Sequence, residues 1–476
     1  MSEKEVVKGE AVDKGVKAIN PMLILMVILI LAAIATYIVP AGSFERVAST
    51  TSKYQMVVPN SYHAVQANPV TPFGVFKAIP KGLASSGGLI FFLLIVGGVL
   101  QVVQGTGAVD IGLKNLIKKF AGKEKILLLV ILLVFGIITC FAACSEEYLA
   151  FIPLIYMVCL GIGFDSLTVI FIVFNAATIG YAGGMTNAFT VGVAQTIAEL
   201  PLFSGMWYRT IVFIVFEIVS MIYIYFYAKK IQKDPTKSIM YDIDEKYRKE
   251  IDLDLDSVPE FTKKHKQVLW LFVIGTIIAV IGIIKYDFYL TEMAAIFIIL
   301  SALCGKAGGM DANTICNEFI KGAQSLVWAG FIMGICKAVT MVVTDAKIID
   351  TLIYSLATPL AGLPTSIAAC GMFVVQCLIN FVVPSGSGQA AVTMPFMVPL
   401  GDMLGLTRQT NVLAFQFGDS FSNMLTPAGA KLMAGLAMCH IPYKKWLKFF
   451  MPMFGIWCIV AFIMLIIAVK INYGPF

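Results

Sequence analysis

The sequence predicts an all-α polytopic membrane fold, and three observations predict it. Apolar runs long enough to cross a bilayer recur along the chain, charge is scarce, and two of the longest runs break near their centres. Of 476 residues, 59% are hydrophobic and 13% are charged, with a mean hydropathy of +0.86. A soluble domain carries roughly 25% charged residues, so water cannot solvate this surface. A soluble enzyme and a nucleic-acid binder are therefore excluded. The net charge of +6 reads as topology, because the basic residues sit in loops and Lys and Arg fix helix orientation. The bilayer is the expected partner.

The elements follow in order. Residues 1–20 form a polar tail with Lys4, Lys8, Lys14 and Lys17, expected in the cytoplasm. Pro21–Val39 supplies 19 apolar residues, a first span rather than a cleaved signal. Further full spans are expected at Gly87–Val103, Met206–Ala228, Lys266–Lys285, Thr291–Cys304, Ser325–Val343 and Lys448–Lys470. Residues 229–265 are too charged to bury and read as a cytoplasmic linker. They divide a first half, 21–228, from a second, 266–476.

The two broken runs, about 126–163 and 366–404, carry polar tips: Cys144-Ser145-Glu146-Glu147 and Pro384-Ser385-Gly386-Ser387-Gly388-Gln389. Each arm has about 16 to 18 residues, short of the roughly 20 a crossing takes. Both runs are therefore expected to be re-entrant hairpins; the alternative, each arm a complete span, keeps the later loops on the same side. The ten cysteines lie mostly in apolar runs, where Cys acts as a small hydrophobe. With only three histidines, no zinc-type spacing arises.

The halves repeat. Lys81-Gly82 aligns with Lys321-Gly322, Phe91 with Phe331, Ile95 with Ile335 and Asp110 with Asp350, all at a shift of 240. Ser145 aligns with Ser387 and Pro153 with Pro395 at a shift of 242. With the N-terminus inside and both hairpins re-entrant, an odd number of crossings separates the copies, which inverts the second. That arrangement puts 24 basic residues inside and 8 outside (Arg46, Lys53, Lys77, Lys81, Arg209, Lys285, Lys347 and Lys470), as the positive-inside rule requires. Repeats with helix breaks at corresponding places are the mark of a secondary transporter.

The tips and breaks carry the candidate chemistry. Glu146 and Glu147 place adjacent carboxylates in an uncharged stretch, where each costs about 2.5–3.5 kcal/mol on insertion scales. A sodium ion, a proton or a cationic substrate would compensate them. The second tip, Ser385 to Gln389, offers hydroxyls and exposed N–H groups, and its glycines let a ligand approach the backbone. The following half-helix attracts anionic groups. Each hairpin precedes a helix with its own break, within 177–187 and 417–429. There Thr186, Asn187, Ser422, Asn423 and Thr426, with unwound carbonyls, suit a small cation. Asp419 is a third intramembrane acid and a functional default. Lys337 and Lys431 read as an anion site or as charge pairs, and Glu217 and Asp402 as structural pairs. No phosphate loop appears, nor a catalytic motif of the GxSxG, HExxH or CxxC kind. No enzyme is expected, and no cofactor beyond a coupling sodium ion or proton.

YIVPAGSFER after the first span, CSEEYLAF at the first tip and SGSGQAAVTMPFMVPLGDMLGLTRQTNVLAFQFGDSFSN in the second half closely resemble the YfcC family. That family belongs with the DcuC and ArcD-like carriers of the ion transporter superfamily. The resemblance covers about residues 20 to 470. It implies an inverted-repeat transporter with two re-entrant hairpins, two unwound helices and an elevator-type motion, working as a homodimer in the bacterial cytoplasmic membrane. Mapped onto this chain, it implies a site at Ser145, Glu146, Glu147, Thr186, Asn187, Ser385 to Gln389, Asp419 and Asn423. The tips here read Ser-Glu-Glu and Ser-Gly-Ser-Gly-Gln where the superfamily carries Ser-Asn-Thr.

Relatives in that group are linked to four-carbon dicarboxylates or to basic amino acids. A dianion beside Glu146, Glu147 and Asp419 would be repelled, whereas a basic amino acid offers those acids a cation and the glycine-rich tip a carboxylate. The expected function is amino-acid transport, of the arginine/ornithine antiport kind. The alternative is a sodium- or proton-coupled dicarboxylate carrier in which the acids bind cations and Lys337 or Lys431 the anion. A channel or a transporter-like sensor is a third, less favoured reading.

Overall fold

The computed structural model describes residues 21–48, 55–58, 61–109, 111–112, 123–142, 145, 147–250, 262–286, 288 and 290–474. The expected cytoplasmic tail, Asp110, Cys144, Glu146 and residues 251–261 of the linker lie outside the described residues.

The first half contains α1 (Pro21–Ile38), α2 (Pro72–Ser85), α3 (Gly87–Gly105), α4 (Glu124–Ala142), α5 (Ile152–Gly161), α6 (Ser166–Gly183), α7 (Val193–Ile197) and α8 (Met206–Lys233). A linker helix, α9 (Tyr241–Glu250), follows. The second half contains α10 (Lys263–Tyr286), α11 (Leu290–Gly308), α12 (Ala312–Ser325), α13 (Val327–Asp345), α14 (Ile349–Ala357), α15 (Thr365–Asn380), α16 (Gly386–Met403), α17 (Arg408–Ser422), α18 (Ala430–Met438) and α19 (Tyr443–Lys470). Among the described residues, α3, α4, α6, α8, α11, α13 and α19 are long and apolar enough to cross a bilayer.

The hairpins differ from their expected even arms. The first rises as a 19-residue helix, α4, because no breaker interrupts its apolar run, and returns through a 3₁₀ turn (Glu147–Phe151) and the 10-residue α5. That return arm is about half of what a crossing takes. The second hairpin has arms of 16 and 18 residues, α15 and α16.

The helix bounds repeat more closely than the sequence does. Pro72–Ser85 and Ala312–Ser325 are both 14 residues long, and Gly87–Gly105 and Val327–Asp345 both 19, at a shift of 240. At a shift of 242, α17 begins where α6 does and Ala430 stands where Ala188 does. Helices α2 and α12 are not evident from hydropathy, because Lys77, Lys81, Glu318 and Lys321 interrupt it. Their start signals are nevertheless plain. Thr71 accepts from the Gly74 N–H at 3.0 Å ahead of Pro72, and Asp311 accepts from the Thr314 N–H at 3.3 Å.

The packing of these pairs is reciprocal: α2 lies on α13, and α12 lies on α3. A Cβ on Gly82 would sit 2.3 Å from the Gly334 carbonyl, and one on Gly322 would sit 2.2 Å from the Gly97 carbonyl. Only glycine lets the helix backbones touch in this way, as at small-residue crossings in membranes. Two short ribbons join α1 to α2: Gly42–Ser43 pairs with His63–Ala64, and Arg46–Ala48 with Gln55–Val57, both antiparallel. Arg46 clamps Asp350 at the start of α14 through two hydrogen bonds of 2.7 and 2.8 Å, tying this strap to the second half.

The core lies where the hairpins enclose the broken helices. The window of α6 is 94% buried, as is every residue of α17 from Gln409 to Ser422. Phe216 on α8 meets Phe417 and Phe421 on α17 at 5.5 and 4.9 Å, and Trp457 closes over Phe421 at 4.9 Å.

Candidate functional site

The first break begins later than the sequence suggested. Helix α6 runs through Gly180 and stops at Gly183, and Gly184 turns left-handed at φ +40°. A Cβ there would meet the Gln416 side chain at 2.3 Å, so the turn needs glycine. The unwound stretch is tied to the end of α4: the Thr186 N–H donates to the Cys140 carbonyl at 3.3 Å and its hydroxyl to the Phe141 carbonyl at 3.1 Å. Asn187 then turns inward, its Oδ1 accepting from the Thr190 N–H at 3.0 Å.

The second break occupies Asn423–Gly429, between α17 and α18. Asn380 holds its start, donating to the Asp419 carbonyl, the Ser422 hydroxyl and Asn423 Oδ1 at 3.0, 2.8 and 3.1 Å. Three unwound carbonyls already have partners. Met424 accepts from the Trp446 indole at 2.8 Å, Leu425 from the Tyr443 hydroxyl, and Pro427 from the Cys336 thiol. Thr426 is buried and caps the Ala428 N–H at 3.3 Å.

Tip and break meet at a cavity of about 420 Å³. Of the sequence-predicted site residues it is lined by Ser145, Lys337, Ser385, Asn423 and Lys431. Lys431, in the first turn of α18, reaches across to the other half, donating to the Ser145 hydroxyl at 2.5 Å with its ammonium 5.3 Å from the Tyr181 ring centre. Lys337 is exposed toward the same space. Tyr181, Thr340 and the Ser85-Ser86 joint between α2 and α3 also line it. Sequence reasoning did not single out these four. Tyr181 lay inside the quoted break, and Ser85 matches Ser325 at the repeat shift.

The other predicted residues stand elsewhere. Glu146 lies outside the described residues, and of Glu147 only the backbone, which opens the 3₁₀ turn, is described. Thr186, Asn187, Gly386, Ser387, Gly388, Gln389, Asp419, Ser422 and Thr426 are not in the cavity wall. Gly386 packs behind it, where a Cβ would come 2.6 Å from the Thr190 methyl and 3.2 Å from Asp419 Oδ2. Gln389 joins the hairpin arms by donating to the Gln376 carbonyl and Oε1 at 2.9 and 2.7 Å. Asp419 is buried, and its Oδ1, with Thr190 Oγ1, Asn380 Oδ1 and Ser420 Oγ, has no hydrogen-bond partner. No group of three His, Cys, Asp or Glu with metal-holding geometry occurs among the described residues.

Of three expectations about charged residues, two change. Asp402 does form a pair: Arg408 bridges it at 2.9 Å and Glu199 at 3.1 Å. Glu217 does not, since it is 2% exposed and neither carboxylate oxygen has a partner. Arg209, counted outside, is fully buried in the first turns of α8. It donates to Gln409 Oε1 at 3.2 Å, to the Tyr473 hydroxyl at 3.3 Å and to the Ser204 carbonyl. Arg209 thus departs from the expectation that the basic residues sit in loops, although the sequence already places it inside the span Met206–Ala228.

Comparison with known proteins gives a consistent picture. The profile of the DcuC family, described as C4-dicarboxylate anaerobic carrier, matches residues 20–470. A protein of Escherichia coli (strain K12) described as "putative basic amino acid antiporter YfcC" is 31% identical, covering 95% of this chain and 97% of the relative. An uncharacterised protein of Haemophilus influenzae is 30% identical over 88% of this chain and 82% of its own length. Among solved structures, the YdaH transporter of Alcanivorax borkumensis aligns over 96% of this chain and all of its own, at 14% identity and a TM-score of 0.42.

Proposed function

The chain belongs to the DcuC family of carriers, and from that premise we propose that it is a secondary active transporter of amino acids, a basic amino-acid antiporter of the arginine/ornithine kind. The observation that carries the reading is the cavity at the junction of both halves, where Lys431 of the second break bonds Ser145 of the first tip. In this reading Lys431, with Lys337, receives the substrate carboxylate, and the Glu146-Glu147 pair receives its cationic end. The description of the Escherichia coli relative supports the substrate class. Asp419, buried at membrane depth, would bind a coupling sodium ion or proton.

The reciprocal helix packing and the constant shift of helix bounds support an inverted repeat. Alternating access then moves the hairpins and broken helices against α1–α3 and α10–α14 as an elevator, in a homodimer of the bacterial cell membrane with a cytoplasmic N-terminus.

A second reading keeps the fold and changes the cargo to a four-carbon dicarboxylate. It is favoured by the two lysines that line the cavity and by the absence of an acidic side chain from its described lining. The test is uptake by purified protein in liposomes loaded with ornithine or with malate, with and without a sodium gradient. Labelled arginine entry that requires internal ornithine is the expected result. Succinate entry driven by sodium would overturn it in favour of the dicarboxylate carrier.

A further inference from the structure

Glu217 lies near the middle of α8, 2% exposed, and neither of its oxygens has a hydrogen-bond partner. Its Oε2 packs on the hairpin arm α4 at Gly136, where a Cβ would come within 3.2 Å of it. A larger residue at 136 would occupy the space the carboxyl uses. One turn earlier on α8, Phe213 packs on Gly183, the last residue before the first break, 2.7 Å from where its Cβ would be. Cys140, one turn beyond Gly136, lies 3.4 Å from that same point, and its carbonyl holds the unwound Thr186. Glu217 thus sits in the three-helix junction of α4, α6 and α8 that fixes both the first tip and the first break.

The groups facing it offer no counter-charge. From α4 the titratable neighbour is the Cys140 thiol, which feels both Glu217 and Arg209. On α8 itself Arg209 is two turns away and bonded to Gln409, Tyr473 and Ser204, while Tyr223 and Tyr227 are bonded to the Phe449 carbonyl and to Asp165. From α19, Trp457 reaches this level, bonding Ser220, and the lysines of α19 lie near its two ends. From α6 the packed residues are Gly180, Gly183 and their neighbours, without a charged side chain. A carboxylate here has neither water nor a cation, whereas the neutral acid needs neither.

We propose that Glu217 is a proton-binding site of the transport cycle, separate from the substrate cavity. It holds a proton while α4, α6 and α8 are packed as described and exchanges it with water when the junction opens. The proton taken up from one side is released to the other as the first break rearranges, so substrate movement is linked to proton movement. This rests on the chain being a transporter, and it adds to that reading a proton site separate from Asp419.

The experiment has two arms. Dicyclohexylcarbodiimide, which reacts with protonated carboxyls in apolar surroundings, is applied to the purified full-length protein across pH 5–9, and the adduct at Glu217 is read by mass spectrometry. This arm is readable whether or not a substrate is known. The expected result is labelling that falls at least tenfold toward high pH and is absent from Glu217→Gln. No adduct at any pH, or one independent of pH, would overturn the proposal. In the second arm, Glu217→Gln in liposomes is expected to keep gradient-free substrate exchange and to lose accumulation driven by a pH gradient. Unchanged pH-driven accumulation by the variant would overturn it. Wild-type protein that labels as expected but moves no arginine or succinate would instead refute the proposed transport function.

Discussion

The two breaks occupy equivalent places in the two halves, yet they are built differently. The first is a sharp stop, in which one left-handed glycine, Gly184, reverses the chain against Gln416 and Thr186 is tied to the end of α4 through its N–H and its hydroxyl. The second is a loose seven-residue passage, Asn423–Gly429, held by Asn380 from behind and by Trp446 and Tyr443 from the far side. Backbone repetition sets where helices stop, and side chains decide what each stop does. The helix that the first one ends, α6, lines the cavity with Ala177, Thr178 and Tyr181. From the second comes Lys431, the cation that bridges to the opposite tip.

Lys431→Met tests that division most strongly. Losing a charged hydrogen-bond donor costs about 1.5–3 kcal/mol, so uptake of a carboxylate substrate should fall roughly ten- to hundredfold with little loss of folding. Lys337→Met, lining the same cavity without a bond to the opposite tip, should fall less. Equal losses would mean that the bridge to Ser145 has no special part. Next in size is a matched pair of glycine substitutions. Gly184→Ala places a side chain in a left-handed turn and against Gln416, at about 1–3 kcal/mol, and should lower both thermal stability in detergent and uptake. Gly429→Ala, with an ordinary negative φ and its nearest contact 3.1 Å away, should cost under about 1 kcal/mol. A reversed order would show that the first break is not the rigid one.

Much of this was legible in the sequence, and the reasons are physical. Scarcity of charge points to a membrane fold, and polar tips inside apolar runs point to chain reversals, so Ser145 and Ser385 are assigned to one site from the sequence, and both line the cavity. Lys431 was flagged because a cation at membrane depth must have a task. What one-dimensional reasoning could not supply was which side of a half-helix faces the cavity. Asp419 and Gln389 read as site residues by spacing, but α17 turns Asp419 onto Gly386 and α15 claims Gln389. Glu217 read as half of a structural pair because its span has no matching break, and the one arginine of its helix, Arg209, is engaged elsewhere. Gln409, Ser204 and Tyr473 take the arginine, and only tertiary packing brings them there.

The strap sharpens the comparison at the periphery. In the second half Asp350 accepts two bonds from Arg46 and one from the Phe44 N–H at 3.2 Å, and its repeat partner Asp110 lies outside the described residues. Arg46 is 31% exposed, so Arg46→Ala should cost only about 1 kcal/mol of stability. It should also raise protease sensitivity between Val39 and Pro72. An unchanged digestion pattern would show that the ribbons hold without the clamp.

The smallest effect is expected where the broken helices begin. In the second half Arg408 opens α17 and pairs with Asp402 and Glu199. In the first half two acids serve the same position: Asp165 accepts from the Thr168 N–H at 2.9 Å, and Asp244, carried by the linker helix α9, accepts from the Ser166 N–H at 2.8 Å and its hydroxyl at 3.1 Å. Burial pushes the Asp244 carboxyl up to about 6, against the opposing pull of the Ser166 bonds. A raised value means that the docked state holds its proton longer than the undocked one. Docking of α9 is therefore strongest below the ordinary carboxylate value of about 4. It weakens as pH rises through 4 to 6 and is constant above that. Hydrogen exchange of residues 241–250, corrected for intrinsic rates, should lose a few-fold of its protection across that window. Asp244→Asn, which still accepts from Ser166 but carries no charge, should be flat. A variant that kept the slope would move the titration to another group.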